Sequence, residues 1–130
     1  MSEELDPEVV ELASKVFDLA RHGDAEALAA YVDAGVPVNL TNDRGDSLLM
    51  LAAYHGHAEA VSALLARGAD ADRANDRGQT PLAGAVFKSE DAVIKALLAG
   101  GADPSAGTPS AVDTARMFGK AELLALFGAN

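Results

Sequence analysis

The chain has 130 residues, 49% of them hydrophobic, a formal charge of −10 and no cysteine. That is enough apolar material for one folded domain, and the missing thiols exclude disulfides, thiol catalysis and thiolate metal sites while fitting a reducing, cytoplasmic setting. The acidic balance repels phosphate backbones, which speaks against nucleic acid as a partner, and no apolar run approaches the length of a membrane span.

The charge is uneven: residues 1–35 carry nine acids against Lys15 and Arg21, and the remainder eleven acids against eight bases. Aromatic residues are limited to Phe17, Tyr31, Tyr54, Phe87, Phe118 and Phe127, whereas alanine is the commonest residue of all. A core of small side chains requires helices that approach one another closely, so the composition predicts thin helical layers rather than a sandwich or barrel.

Asp6-Pro7-Glu8 opens a helix, with Asp as N-cap, Pro in the first turn and acids at the positive end of the dipole. It is predicted to run to about Arg21, with Val9, Leu12, Val16, Leu19 and Ala20 at helical spacing and Val10, Ala13 and Phe17 widening the stripe. Gly23 ends it, and a second helix is predicted over 25–33, stopped by Gly35.

Asn42-Asp43-Arg44-Gly45 follows and recurs as Asn75-Asp76-Arg77-Gly78. The residues after each copy align at the same interval: Leu49 with Leu82, Ala52 with Ala85, Val61 with Ile94, and Leu64-Leu65 with Leu97-Leu98. A fixed period of about 33 residues marks a stacked repeat protein, in which each unit buries its apolar face against its neighbours. Within the unit 44–76 the pattern predicts helices over 48–54 and 58–66, separated by a turn at His55-Gly56-His57, and the unit 77–106 repeats the plan. The stretch from Gly68 to Gly78 is rich in Asn, Asp and Gly and should project as a hairpin-like finger.

Residues 1–43 form an N-terminal cap with a divergent first repeat, since Gly23, Glu26 and Gly35 align with Gly56, Glu59 and Gly68. Beyond Asp103 the register shortens, because Gly107 follows Gly78 more closely than Gly78 follows Gly45, and four finger positions are missing. The unit 107–130 reads as a truncated C-terminal cap with helices over 111–118 and 121–127, Gly119 being displaced by an extra helical position.

The run from Asn42 through Ala52-Ala53, Gly56-His57-Ala58-Glu59, Leu64-Leu65 and Gly68-Ala69-Asp70, together with Gly78-Gln79-Thr80-Pro81-Leu82, resembles the ankyrin repeat. The resemblance covers about Leu12 to the C-terminus and implies an all-α solenoid of helix-turn-helix units with finger loops. It departs from the family's Thr-Pro-Leu-His at Ser47-Leu48-Leu49-Met50 and at Thr80-Pro81-Leu82-Ala83, which lack the histidine. Ser89 replaces the turn glycine of the third unit, at a cost of roughly 1 kcal/mol if its backbone is left-handed.

The resemblance implies a protein–protein interaction module that meets its partner with finger tips and the concave, inner-helix face. Carried over residue by residue, the second unit offers Asp43, Arg44, Asp46, Tyr54 and His55, and the third Asp76, Arg77, Gln79, Phe87 and Lys88. The first supplies Arg21 and His22, the last Arg116 and Met117. Tyr54 and Phe87 fall one repeat apart, about 10 Å along the stack, and either anchor a partner or pack against the base of the adjacent finger.

Chemistry finds little support. His22, His55 and His57 do not form a ligand pattern, and the resemblance gives His57 a structural bond to backbone. The Asn-Asp-Arg-Gly-Asp stretch lacks the closing Glu of a calcium loop, and its Arg residues are expected to pair with Asp between fingers. Asp70 and Asp103 should bind loop backbone. The serines have no nucleophile-elbow context and the glycines no phosphate-loop lysine. A non-enzymatic monomer without cofactor or metal is expected. Self-association through an apolar end around Phe118 and Phe127, a role as companion to one enzyme, and a small-ligand groove are the alternatives.

Overall fold

A computed structural model describes residues 6–129. Eight helices run in chain order through them: α1 Pro7–His22, α2 Ala25–Asp33, α3 Leu48–Tyr54, α4 Ala58–Ala66, α5 Pro81–Phe87, α6 Asp91–Ala99, α7 Ala111–Met117 and α8 Ala121–Leu126. The described residues contain no strand, only isolated antiparallel bridges at Thr41–Ser47 and Gly107–Ser110. None of the helices is long and apolar enough to cross a membrane.

Each inner helix starts on a hydroxyl or carboxylate that accepts from an otherwise unpaired backbone N–H. Asp6 accepts from Glu8, Ser47 from Met50, Thr80 from Ala83 and Ser110 from Asp113, at 2.8 to 3.2 Å. Asp113 returns the bond to the Ser110 N–H, completing a capping box. Pro7 and Pro81 occupy the first turns of α1 and α5, where a missing N–H costs nothing.

Helices pack in two rows, α1–α3–α5–α7 inside and α2–α4–α6 outside, with each inner helix also on its own outer partner. Inner helices are therefore covered on nearly all sides: Leu48–Ala53 of α3 and Pro81–Val86 of α5 are buried without interruption. The row can close because Ala52, Ala53, Gly84, Ala85, Ala111 and Ala115 leave room for backbone approach. Leu28, Leu64, Ile94 and Leu97 fill the space between the rows and are fully buried or nearly so. Burying each contributes about 1.5–3 kcal/mol.

At the ends the pattern loosens. The apolar stripe expected on α1 includes Val9, Val10 and Leu12, yet these are exposed, because no other helix among the described residues covers the first turns. Val16, Phe17 and Ala20 carry the contact instead. At the other end α8 packs on α7 but buries none of its residues, and a cavity of about 650 Å³ opens between α6 and α8. The extra residue of the last unit is not helical: α5 and α7 are equally long, and the insertion lies between Gly107 and the Ser110 cap. The step from the Thr80 cap to the Ser110 cap is accordingly three positions shorter than the step from Ser47 to Thr80, where the glycines that precede the caps differ by four.

Neighbouring repeats are cross-linked at each inter-helix turn. His57 Nε2 lies 2.7 Å from the Arg21 carbonyl, which can only accept, so Nε2 carries the proton. Glu90, one repeat on, sets its carboxylate against Gly56, and Lys120 donates to Ser89 Oγ. The ring of His57 fits only because Gly23 is a glycine: a Cβ there would stand 2.4 Å from it, on a backbone with φ of +77°. Ser89 is left-handed, with φ of +58°, the one such non-glycine among the described residues. In the loops, Asp70 and Asp103 accept from the Asp72 and Ser105 N–H groups as expected. A second ladder joins repeats there, since Asn39 accepts from the Asp70 N–H and Asp72 from the Asp103 N–H, at 2.8 and 2.7 Å.

Two outcomes are expected. His57→Ala removes a cross-repeat bond at about 1–3 kcal/mol, and Gly23→Ala costs at least about 1–2 kcal/mol of backbone strain besides its clash. The double variant should be less destabilised than the sum by about 0.5 kcal/mol or more in urea unfolding, since only one of the pair is needed to relieve the clash; strict additivity would refute the contact. Ser89→Gly should raise the stability in urea unfolding by about 0.5–1 kcal/mol, because relief of the left-handed serine outweighs an exposed bond to Lys120.

Candidate functional site

The two fingers are built on asparagine. Asn42 Oδ1 accepts from the N–H groups of Arg44 and Asp46, and Asn75 Oδ1 from those of Arg77 and Gln79, at 2.9 to 3.1 Å. This local Asx geometry turns the chain so that residues 43–44 and 76–77 lie exposed at the tips. The fingers are joined by backbone, through Asp76 N–H to the Arg44 carbonyl at 3.1 Å and Thr108 N–H to the Gly78 carbonyl at 2.9 Å. The shortened third loop therefore still touches the second finger.

Arg44 and Arg77 do not pair with the neighbouring aspartates, contrary to expectation. Among the described residues the ion pairs are Arg21–Asp18 at 2.7 Å and Arg67–Asp33 at 3.0 Å. The side-chain link between the fingers is made by the buried amide of Asn75, whose Nδ2 donates across to Asp46 Oδ1 at 2.8 Å and, within its own finger, to Gln79 Oε1 at 2.9 Å. A short side chain inside the ridge reaches these acceptors, whereas the long guanidinium stems extend into solvent. Asp46 and Gln79 thus already serve the framework.

Between the fingers and the inner row lies a groove of about 620 Å³. It gathers eight of the ten residues selected from sequence: Asp43, Arg44, Asp46, Tyr54, His55, Arg77, Gln79 and Phe87. Arg21 also lines it, while Asp76 and Lys88 do not. Asp76 remains exposed at its tip. Lys88 reaches back one repeat and holds its Nζ 5.0 Å from the centre of the Tyr54 ring, a cation–π contact.

The two aromatics differ. Tyr54 is half-buried, resting over Gly84 of α5, with the His55 ring edge-on at 5.6 Å. Phe87 is 57% exposed and meets Phe118 edge-to-face at 5.8 Å. Around this pair is a second, more apolar slot of about 240 Å³, lined by Tyr54, Phe87, Pro109, Met117 and Phe118 among others. The sequence suggests an exposed end that Phe118 shares with Phe127. Instead, Phe127 packs half-buried on the core, and Phe118 turns toward the groove. Because the step from α5 to α7 runs from Thr80 to Ser110, the counterparts of Phe87 and Lys88 are Met117 and Phe118, not Arg116 and Met117. Alignment on the caps Thr80 and Ser110 reveals this, where alignment on Gly78 and Gly107 does not.

His55 titrates below its ordinary value of 6.5, first because partial burial penalises its charged form, then through His57, Arg21, Lys88 and His22. Every charge that moves it is positive, although Asp43 and Asp46 also line the groove. No group of three or more His, Asp or Glu side chains is arranged to hold a metal ion among the described residues.

A model of ankyrin repeats in three copies matches residues 16–108. A Pseudomonas aeruginosa protein described as an ankyrin repeat protein is 52% identical over 51 residues, a stretch covering 39% of this chain and 30% of that protein. In the crystal structure of the human ASB11 ankyrin repeat domain the match has a TM-score of 0.65 at 32% identity, over 68% of this chain and 40% of that one. The chain thus spans less than half the length of either relative.

The titration of His55 is open to direct measurement by NMR. Its midpoint should lie below 6.5, and Lys88→Gln should move it upward. The unfolded chain binds this proton at higher pH than the folded one. His55 therefore contributes stability that is complete above about 6.5 and is lost as pH falls through the folded midpoint. A midpoint at or above the ordinary value would contradict the cationic environment.

Proposed function

The chain belongs to the ankyrin repeat family, whose repeats are generally protein–protein interaction modules, and on that premise we propose that it binds another protein through its finger tips and the groove beside the inner helices. The fold is a non-enzymatic interaction scaffold. The units 1–43, 44–76, 77–106 and 107–130 act in this reading as one recognition domain, the middle two supplying the fingers.

One observation carries the proposal: Phe87, 57% exposed, stands beside a groove of about 620 Å³ rimmed by the exposed guanidinium residues Arg44 and Arg77. An exposed aromatic flanked by arginines is the composition of interface hot spots. Tyr54 and Phe87 serve as anchors, with Arg44, Arg77, His55 and Lys88 reading acids and carbonyls on the partner. Asp43 and Asp76 contribute at the finger tips, and Asp46 and Gln79 chiefly hold the ridge in shape.

The test is a comparison of proteins cross-linked to the chain in the cells that make it, using wild type and the Tyr54→Ala, Phe87→Ala double variant. At unchanged melting temperature, a specific partner should be lost or weakened by about tenfold or more, as expected for removal of hot-spot aromatics. Retention of every cross-linked partner would reject the groove as the binding surface.

A further inference from the structure

The ends of the inner helices form two columns of graded chemistry. The left-handed residues Gly23, Gly56, Ser89 and Gly119 mark equivalent points in the four units. Two positions before them stand Arg21, Tyr54, Phe87 and Met117, and one position before them His22, His55, Lys88 and Phe118. Both columns pass from cationic or titratable side chains in the first unit to apolar ones in the last. Met117 and Phe118 are 68% and 49% exposed.

The two cavities follow the same gradient. The larger, of about 620 Å³, is lined by Arg21, Arg44, Arg77 and His55, and the smaller, of about 240 Å³, by Pro109, Met117 and Phe118. They share Tyr54, Gln79 and Phe87, so one continuous surface runs from an arginine-rimmed groove to an apolar slot. Asp43 and Asp46 also line the larger cavity, but Asp46 is engaged by Asn75 at 2.8 Å. Arg21 shares an exposed pair with Asp18, while Arg44 and Arg77 are in no ion pair among the described residues.

Resting on the groove reading above, we propose that the occupant is an acidic peptide segment bearing one large apolar side chain, its carboxylates over Arg44 and Arg77 and its apolar residue between Phe87 and Phe118. Guanidinium groups bind carboxylates bidentately, and a basic segment would leave Arg44 and Arg77 without such a partner. The slot is smaller than pockets that hold drug-sized ligands and suits a single side chain. Successive units are about 10 Å apart and an extended chain advances about 3.3 Å per residue. The acids and the apolar residue are therefore separated by about three to six positions, with the acidic part toward the first repeat.

The probe is a random dodecapeptide library displayed on phage and selected on the intact chain, followed by fluorescence anisotropy of the enriched peptides. Enriched sequences should carry acids and, about three to six positions away, a Phe, Leu, Met or Trp. Arg44→Glu with Arg77→Glu should weaken them about tenfold or more, and added salt should do the same to the wild type. Phe118→Ser should weaken them with little change in salt dependence; if that variant does not fold, Met117→Ser serves. Enriched peptides that are neutral or basic, yet lost with Tyr54→Ala and Phe87→Ala, would overturn the assignment of an acidic occupant and leave the groove reading intact. Peptides indifferent to every groove substitution, or no enrichment at all, would overturn both.

Discussion

Everything in this molecule depends on how closely neighbouring inner helices approach. A repeat of this size cannot bury its own apolar face, and its stability comes from the interface with the next unit. Ala52, Ala53, Ala85, Ala111 and Ala115 are fully buried and bring the backbones of α3, α5 and α7 together without large side chains between them. The same closeness lets a single side chain per unit bridge backward. His57, Glu90 and Lys120 do so at equivalent turns with three different chemistries, the first through a full hydrogen bond to the Arg21 carbonyl.

Close stacking also generates the proposed recognition surface. With the inner helices in register, the ends of α1, α3, α5 and α7 align into columns, and the loops before them align into a ridge. The asparagines of the fingers are consumed in holding that ridge, as is Asp46. What the ridge does not consume, chiefly Arg44, Arg77 and the exposed face of Phe87, is left to the groove. Framework residues are thus separated from those left to the groove by whether a neighbouring repeat uses them. The charges that perturb His55 are all cationic on an acidic chain.

The first and last described helices pack less completely. α1 leaves Val9, Val10 and Leu12 in solvent, and α8 buries none of its residues. Residues that would form a seam in an internal repeat become surface there. At the C-terminal end the effect is useful, for Met117 and Phe118 occupy the columns held elsewhere by Arg21, His22 and His55 and turn the end of the groove apolar.

By itself the sequence determined the repeat and its period, the helices of the second unit to their end positions, and the groups committed to turns. These features arise from local chemistry: caps, left-handed turn positions and helical spacing act over short stretches of chain. Of the ten side chains it singled out, eight share the groove, because equal positions in successive units must share a face. Tertiary structure alone decided which of them remain available. Whether Asp46 meets an arginine or Asn75, how Tyr54 sits over Gly84, and whether Phe118 faces the end or the groove depend on side-chain reach across a repeat boundary. That reach is set by the separation and offset of the helices, and a single insertion before Ser110 shifts it without leaving a mark in the helical pattern.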